Sequence, residues 1–270
     1  MIVGIDIGGS TTDAVILENG ALHVVTIEAN DPVAAAAGAL GKLVCDYDLR
    51  LDQIEHVAAT GAGSRALGEL LLGRPVIKVS EFTAIGIGGT SLAGKTQALV
   101  VSLGTGTAIV SVTEDKIMHF SGTGVGGGTL LGLAKHMLGV VTIERLEEMA
   151  SKGDLRRVDL TVRDIAGGPI GDLPPNTTAA NFGKLAADAT PEDKALAIMN
   201  MIVESIGVLS LASARACGQE NIVLTGKLSR LFRFVQEAKR LDFPFGRRFL
   251  IPEHADYATA IGAARASLKE

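Results

Sequence analysis

The sequence predicts an α/β protein in two similar lobes, each ordered β-β-β-α-β-α, with a cleft between them. Three observations carry this. Two apolar strands run directly into turns rich in glycine and hydroxyls, GIDIGGSTTD at Gly4 to Asp13 and VVSLGTGT at Val100 to Thr107. Each turn is followed by another apolar strand, so the second half of the chain restarts the plan of the first. Between the strands lie stretches, several rich in alanine, that read as helices.

Met1 to Ile5, Ala14 to Glu18 and Ala21 to Glu28 read as three strands, with Asn19 and Gly20 as a favoured Asn-Gly hairpin turn. Asp31 and Pro32 start a helix that Val33 to Asp46 continues. Ile54 to Thr60 is a strand ending in GAGS at Gly61 to Ser64, Arg65 to Leu72 a second helix, and Val76 to Val79 a strand followed closely by Glu81. Phe82 to Leu92 forms a helix, and Ala93, Gly94 and Lys95 cross to the second lobe. There Ala98 to Leu103, Ala108 to Val112 and Lys116 to Ser121 are the strands, and glycines open a helix at Leu130 to Met137. The long helical section Ala195 to Cys217 leads to a strand at Asn221 to Thr225, which ends in Gly226. Small residues in Tyr257 to Ser267, Gly262 above all, permit close helix packing. The lobes are expected to divide as residues 1–94, completed by a helix over 254–270, and residues 95–253.

With 270 residues, 47% of them hydrophobic and 20% charged, the chain is long and apolar enough for two buried cores and unlike a disordered protein. A formal charge of −5 gives no general attraction to nucleic acid. No run approaches the ~20 apolar residues of a membrane span, and Met1 leads straight into a core strand, so a cytoplasmic protein with no membrane partner is expected. Cys45 and Cys217 lack C-x-x-C spacing and read as buried thiols, while His136 and His254 have no partners at metal-ligand spacing.

Glycine turns of this kind either close ordinary hairpins or let a backbone approach phosphate oxygens; the second copy favours the phosphate reading. On that reading Gly8 and Gly9, with Ser10, Thr11 and Thr12, hold a nucleotide triphosphate from one side, and Gly104, Thr105 and Gly106 from the other. Asp6, at the strand end, is either a turn former or the holder of a hydrated magnesium ion, which the charge of a bound triphosphate demands. Gly126, Gly127, Gly128 and Thr129 open a helix whose free amides suit the β- and γ-phosphates of ATP, or else form a hinge.

The repeated plan is the organisation of the actin, sugar kinase and Hsp70 superfamily, an actin-like ATPase (ribonuclease H-like) fold with ATP between related halves. With ATP between two such halves, Gly226 and Lys227 would pass close to the adenosine end. Within it, GIDIGGS at Gly4 to Ser10, SEF at Ser80 to Phe82, SLGTGT at Ser102 to Thr107, SGTGVGGGTLLGL at Ser121 to Leu133, GDLPPNTTAANFGK at Gly171 to Lys184 and NIVLTG at Asn221 to Gly226 resemble type II pantothenate kinases from end to end. These kinases phosphorylate pantothenate at the first step of coenzyme A synthesis. The resemblance implies Glu81 as general base, Ser102, His119 and Gly122 beside it on the acceptor side, ATP and Mg2+ as cofactors, and a homodimer formed through the Ala195 to Cys217 region. Asp172 and Asn181 either line the substrate mouth or fix a loop through Asx turns.

Three departures stand out. Pro174 to Thr177 extend the usual compact GDLTAANFG. Asp13 stands where relatives usually carry a lysine, a reversal that Coulomb's law makes unfavourable by on the order of 1 kcal/mol or more. His119 stands where the family has an arginine gripping the acyl substrate, and a histidine lacks that bidentate fork. A kinase for a different hydroxyl acceptor, or a nucleotide-switch ATPase of the activator or reactivase type, therefore remains open. A reductase activator would need cysteines to hold a cluster between subunits, and Cys45 and Cys217 are not so arranged.

Overall fold

A computed structural model describes residues 1–18, 21–28, 31–184, 186–231, 233, 236 and 248–268. In the first lobe β1 (Ile2–Ile7), β2 (Thr11–Glu18) and β3 (Ala21–Glu28) form an antiparallel meander. α1 (Pro32–Asp46) then returns the chain as β4 (His56–Thr60), parallel to β1. β5 (Leu70–Leu71) and β6 (Arg74–Lys78) form a hairpin with β6 parallel to β4, and α2 (Glu81–Leu92) follows. The sheet order is β3-β2-β1-β4-β6-β5.

The second lobe repeats this order. β7 (Ala98–Leu103), β8 (Thr107–Val112) and β9 (Ile117–Thr123) are again an antiparallel meander. The connection is longer: α3 (Gly127–Leu138), α4 (Ile143–Ala150), β10 (Leu160–Thr161), α5 (Val162–Ala166), β11 (Thr178–Ala180) and α6 (Pro191–Ala216). β12 (Asn221–Thr225) then lies parallel to β7, and β13 (Arg248–Leu250) parallel to β12, giving β13-β12-β7-β8-β9. α7 (Ala258–Ala266) ends the described chain.

Local chemistry explains these elements. Asp31 accepts a hydrogen bond from the Ala34 amide at 2.7 Å and Pro32 occupies the first turn, which fixes the start of α1. Ala35, Ala36, Ala39, Leu40 and Leu43 form its buried stripe against the first sheet. All five residues of β4 are buried, as expected of a central parallel strand covered on both faces. α7 packs on α2 and on β1, β2 and β4. A Cβ at Gly88 would fall 1.8 Å from the Ala258 carbonyl oxygen and one at Gly262 1.9 Å from that of Ala84, so the two helices meet only because these positions are glycine.

Three expectations are corrected. Arg65 to Leu72 is not a helix: a 3-10 turn at Ala62–Ala66 gives way to the β5–β6 hairpin, whose two-residue loop, Leu72 and Gly73, has φ of 47° and 78°. Two successive left-handed residues match the twist of a hairpin, and the triple leucine alternates exposed, buried, exposed as a strand edge does. Cys45 is exposed, because it lies off the buried stripe of α1, and Cys217 is only partly buried at the end of α6. α6 is 26 residues long and contains an 18-residue stretch with a mean hydropathy of 1.9, long and apolar enough to cross a membrane, but 61% of that stretch is buried inside the protein, so it reads as a core helix. The Asn19–Gly20 turn lies outside the described residues, between Glu18 and Ala21, which pair.

Candidate active site

A cleft of about 250 Å³ lies between the two sheets. The first lobe lines it with Asp6, Gly8, Gly9, Ser10, Thr11 and Asp13, and the second with Ser102 to Thr105, Gly127, Gly128 and Gly226 to Leu228. The two glycine turns face one another across it: the hydroxyls of Ser10 and Thr105 are 3.2 Å apart. Each turn is closed by its own backbone, Gly8 N–H to the Thr11 carbonyl and Gly104 N–H to the Gly106 carbonyl, both at 3.0 Å. The amides of Gly9, Ser10 and Thr105 make no hydrogen bond among the described residues and remain free to bind an anion.

The glycines that open α3 work differently from the expectation. Gly127 N–H donates to the Gly104 carbonyl at 2.8 Å, Gly128 N–H to the Thr105 carbonyl at 2.9 Å, and Gly126 N–H to the Thr129 hydroxyl at 3.3 Å. Thr129 in turn donates to the Gly124 carbonyl. These amides are therefore not a free anion site; they clamp the helix onto the second turn. A Cβ at Gly126 would lie 2.7 Å from the Thr105 carbonyl oxygen, so glycine is what allows the clamp. Gly106 is packed in the same stack, against the Thr123 carbonyl.

Thr12 is likewise displaced from its expected role. It is fully buried, because side chains alternate along β2 and only Thr11 and Asp13 reach the cleft, and its hydroxyl has no hydrogen-bond partner among the described residues. Gly226, with φ 85°, donates to the Ala255 carbonyl at 2.8 Å and lies against the backbone of Leu103 at the cleft wall.

Asp6 and Asp13 are directly opposed in the β1–β2 register. Burial, followed by the negative charges of Asp13 and Glu81, pushes the Asp6 carboxyl up to about 7, while Lys227 opposes the rise. Asp6 has no hydrogen-bond or ion-pair partner among the described residues. Asp13 is satisfied: Lys227 from the opposite lobe reaches it at 2.7 Å and the Thr26 hydroxyl donates to it at 2.5 Å. Lys227 also lies 3.0 Å from the Thr26 hydroxyl and 4.5 Å from the Tyr257 ring centroid. The unfavourable charge anticipated at Asp13 thus has a counterion supplied from across the cleft.

Glu81 is the first residue of α2, exposed, near enough to Asp6 to act on its charge, and outside the residues that line the cleft itself. Ser102 lines the cleft, and His119 lies beside Gly122 on β9. Asp172 is exposed, whereas Asn181 donates to Glu204 of α6 at 3.4 Å and precedes Phe182, held at φ 58° with its amide on Asp159, so this loop is tied to its own lobe. His136 is exposed on α3 and His254 lies 3.6 Å from Glu253.

Sequence reasoning missed several lining residues. Leu131, Ile143, Asp256 and Thr259 carry no local signal. Gly61 does: its GAGS ends a strand, and here, at φ 83°, a Cβ would fall 2.4 Å from Asp6 Oδ1. Only the pairing of β4 beside β1 reveals that this glycine leaves room for the carboxylate.

Two sheets of one topology closing on facing glycine turns define an actin-like ATPase fold. An activator of 2-hydroxyisocaproyl-CoA dehydratase from Clostridium difficile, solved with bound ADPNP, matches with a TM-score of 0.71 at 18% identity over 99% of this chain and 97% of that one. A ROK hexokinase from Thermus thermophilus matches with a TM-score of 0.57 at 15% identity over 99% of both chains. Sequence relatives narrow the class. A type II pantothenate kinase of Oceanobacillus iheyensis is 31% identical over 98% of this chain and 99% of its own length, and one of Bacillus cereus is 31% identical over 68% and 70%. The Fumble family model matches residues 93–264. The chain belongs to the Fumble family, as a relative of the type II pantothenate kinases.

Proposed function

We propose that this protein is an ATP-dependent kinase that transfers the γ-phosphoryl group to the primary hydroxyl of pantothenate, giving 4'-phosphopantothenate for coenzyme A synthesis. The observation that carries it is the unpartnered Asp6 carboxylate at the foot of two facing glycine turns, with Glu81 close by and free of any hydrogen bond or ion pair among the described residues. The free amides of Gly9, Ser10 and Thr105 and the hydroxyls beside them donate to phosphate oxygens, and Lys227 adds positive charge. Gly226 borders the adenosine.

Glu81 accepts the proton of the acceptor hydroxyl as its oxygen bonds to the γ-phosphorus and the bond to the β-phosphate oxygen breaks. A carboxylate held up to about 7 by burial and neighbouring anions suits a cation, so Asp6 is the residue that would hold hydrated magnesium. When bound, magnesium offsets the negative charge of the phosphates. The same reading carries a cytoplasmic homodimer formed along α6, and lobes of residues 1–94 with 254–270 and of residues 95–253.

A coupled ADP-release assay tests it. Pantothenate should stimulate ADP release, and Glu81→Ala should abolish that stimulation with ATP binding intact. Hydrolysis indifferent to any acceptor would instead indicate a nucleotide switch.

A further inference from the structure

β9 contains an irregularity beside the acceptor side of the site. Ile109 of β8 pairs with Ser121, but the next residue, Val110, pairs with His119, so Phe120 is an extra residue in the strand. In a regular strand His119 and Ser121 would share one face; the bulge sends them to opposite faces. Ser121 turns to α6, where its hydroxyl lies 3.0 Å from that of Ser213. His119 turns the other way and stacks on Phe82, with ring centroids 4.2 Å apart and planes inclined by 19°.

Phe82 immediately follows Glu81 in the first turn of α2. Both rings are exposed, Phe82 by 38%, and no hydrogen bond or ion pair among the described residues engages His119. Gly122 keeps the space beside the imidazole small-walled: a Cβ there would lie 3.6 Å from Nε2 and 2.8 Å from the Thr107 carbonyl oxygen.

We propose that the Phe82–His119 stack is the acceptor platform of this kinase and that it selects alcohols carrying a planar amide near the reacting hydroxyl. The inference rests on the kinase reading above and adds Phe82 as a residue that determines specificity. A flat, exposed aromatic surface gains most from a flat partner, because stacking removes apolar area from water on both sides. A planar amide meets that requirement, and a branched hydroxy acid without one does not. Phe82 directly follows Glu81 at the N-terminus of α2, which puts the stack and the carboxylate at the same end of that helix.

The test measures KM and kcat for ATP and for three acceptors in the whole protein: pantothenate; pantothenol, which keeps the amide and lacks the carboxylate; and pantoate, which keeps the hydroxyl and a carboxylate but lacks the amide. Pantothenate and pantothenol should be used with similar kcat/KM and pantoate far less well. Phe82→Leu should raise the KM of both amides about tenfold, the scale of one lost aromatic contact, and leave the KM of ATP unchanged. His119→Ala, which removes the other ring of the stack, should likewise raise the KM of both amides and leave that of ATP unchanged. Pantoate used as well as pantothenate, or Phe82→Leu raising the ATP and acceptor KM values alike, would overturn the platform while leaving the kinase standing. ADP release indifferent to all three acceptors would remove the kinase reading and the platform with it.

Discussion

Replacing Asp6 by asparagine should make the protein more stable at pH 8 and inactive at every pH. The structure gives the size of the effect. The Asp6 carboxyl stands at about 7 in the fold against 3.8 in an unconstrained chain. Below pH 3.8 both states hold the proton and the group is neutral to stability. Between there and pH 7 the unfolded chain loses its proton while the fold keeps it, so each pH unit costs the fold ~1.4 kcal/mol. Above pH 7 the loss is constant, with a ceiling of ~4 kcal/mol for a rise of about three pH units. Only the two units between pH 5 and pH 7 separate those two conditions, ~2.7 kcal/mol at most, and solvent reaching Asp6 through the cleft screens part of it, so the expected gain of Asp6→Asn at pH 8 over pH 5 is about 1–2 kcal/mol. Urea unfolding of both proteins at the two pH values, without nucleotide or magnesium, measures it, and ADP release measures the loss of activity. An equal effect at pH 5 and pH 8, or a less stable variant at pH 8, would refute the assignment of a strained, unpartnered carboxylate.

Other perturbations read other parts of the structure. Glu81→Gln should lower acceptor-stimulated kcat by about 10²–10⁴-fold, with the Kd of ATP, measured by calorimetry, within about twofold of the parent. Lys227→Met leaves Asp13, whose side chain is 10% exposed, without its counterion and should lower urea stability by ~1–2 kcal/mol. Adding Asp13→Asn should recover most of that loss, and a double-mutant cycle showing no coupling would exclude a working ion pair. Gly262→Ala drives a methyl group into the Ala84 carbonyl and should cost at least ~2 kcal/mol in the same experiment.

Where a structural feature depended on local chemistry, it was legible in the sequence. β1 and β7 are apolar runs ending in glycine turns, and both were placed with their turns because strand, turn and following strand are contiguous. Asp31 and Pro32 similarly mark α1 without any help from tertiary structure. Arg65 to Leu72 misled because three consecutive leucines fit either period, and the choice was made by Leu72 accepting a left-handed conformation that sequence rules assign to Gly or Asn. The glycines at 126–128 stand out in the sequence, and two of them line the cleft, but their amides are engaged within the fold. Their number suggests open amides, but the Gly127 and Gly128 amides donate to carbonyls about 23 residues earlier in the chain, which only the folded second turn supplies, and that of Gly126 donates to the Thr129 hydroxyl.

Asp13 and Lys227 show what no local rule can reach, since they are 214 residues apart. Two carboxylates opposed across adjacent strands repel one another, and a third, Glu81, acts on the same point. The fold resolves this unequally. Asp13 receives Lys227 and the Thr26 hydroxyl, with Tyr257 beneath the ammonium, and becomes a structural anion joining the two lobes. Asp6 receives neither and is left as the carboxylate facing the cleft. Identical side chains facing one another in a single register pair thus acquire different surroundings through their partners alone. Lys227 enters the cleft from the segment after β12, so the contact that neutralises Asp13 is also one that holds the two sheets' facing edges together.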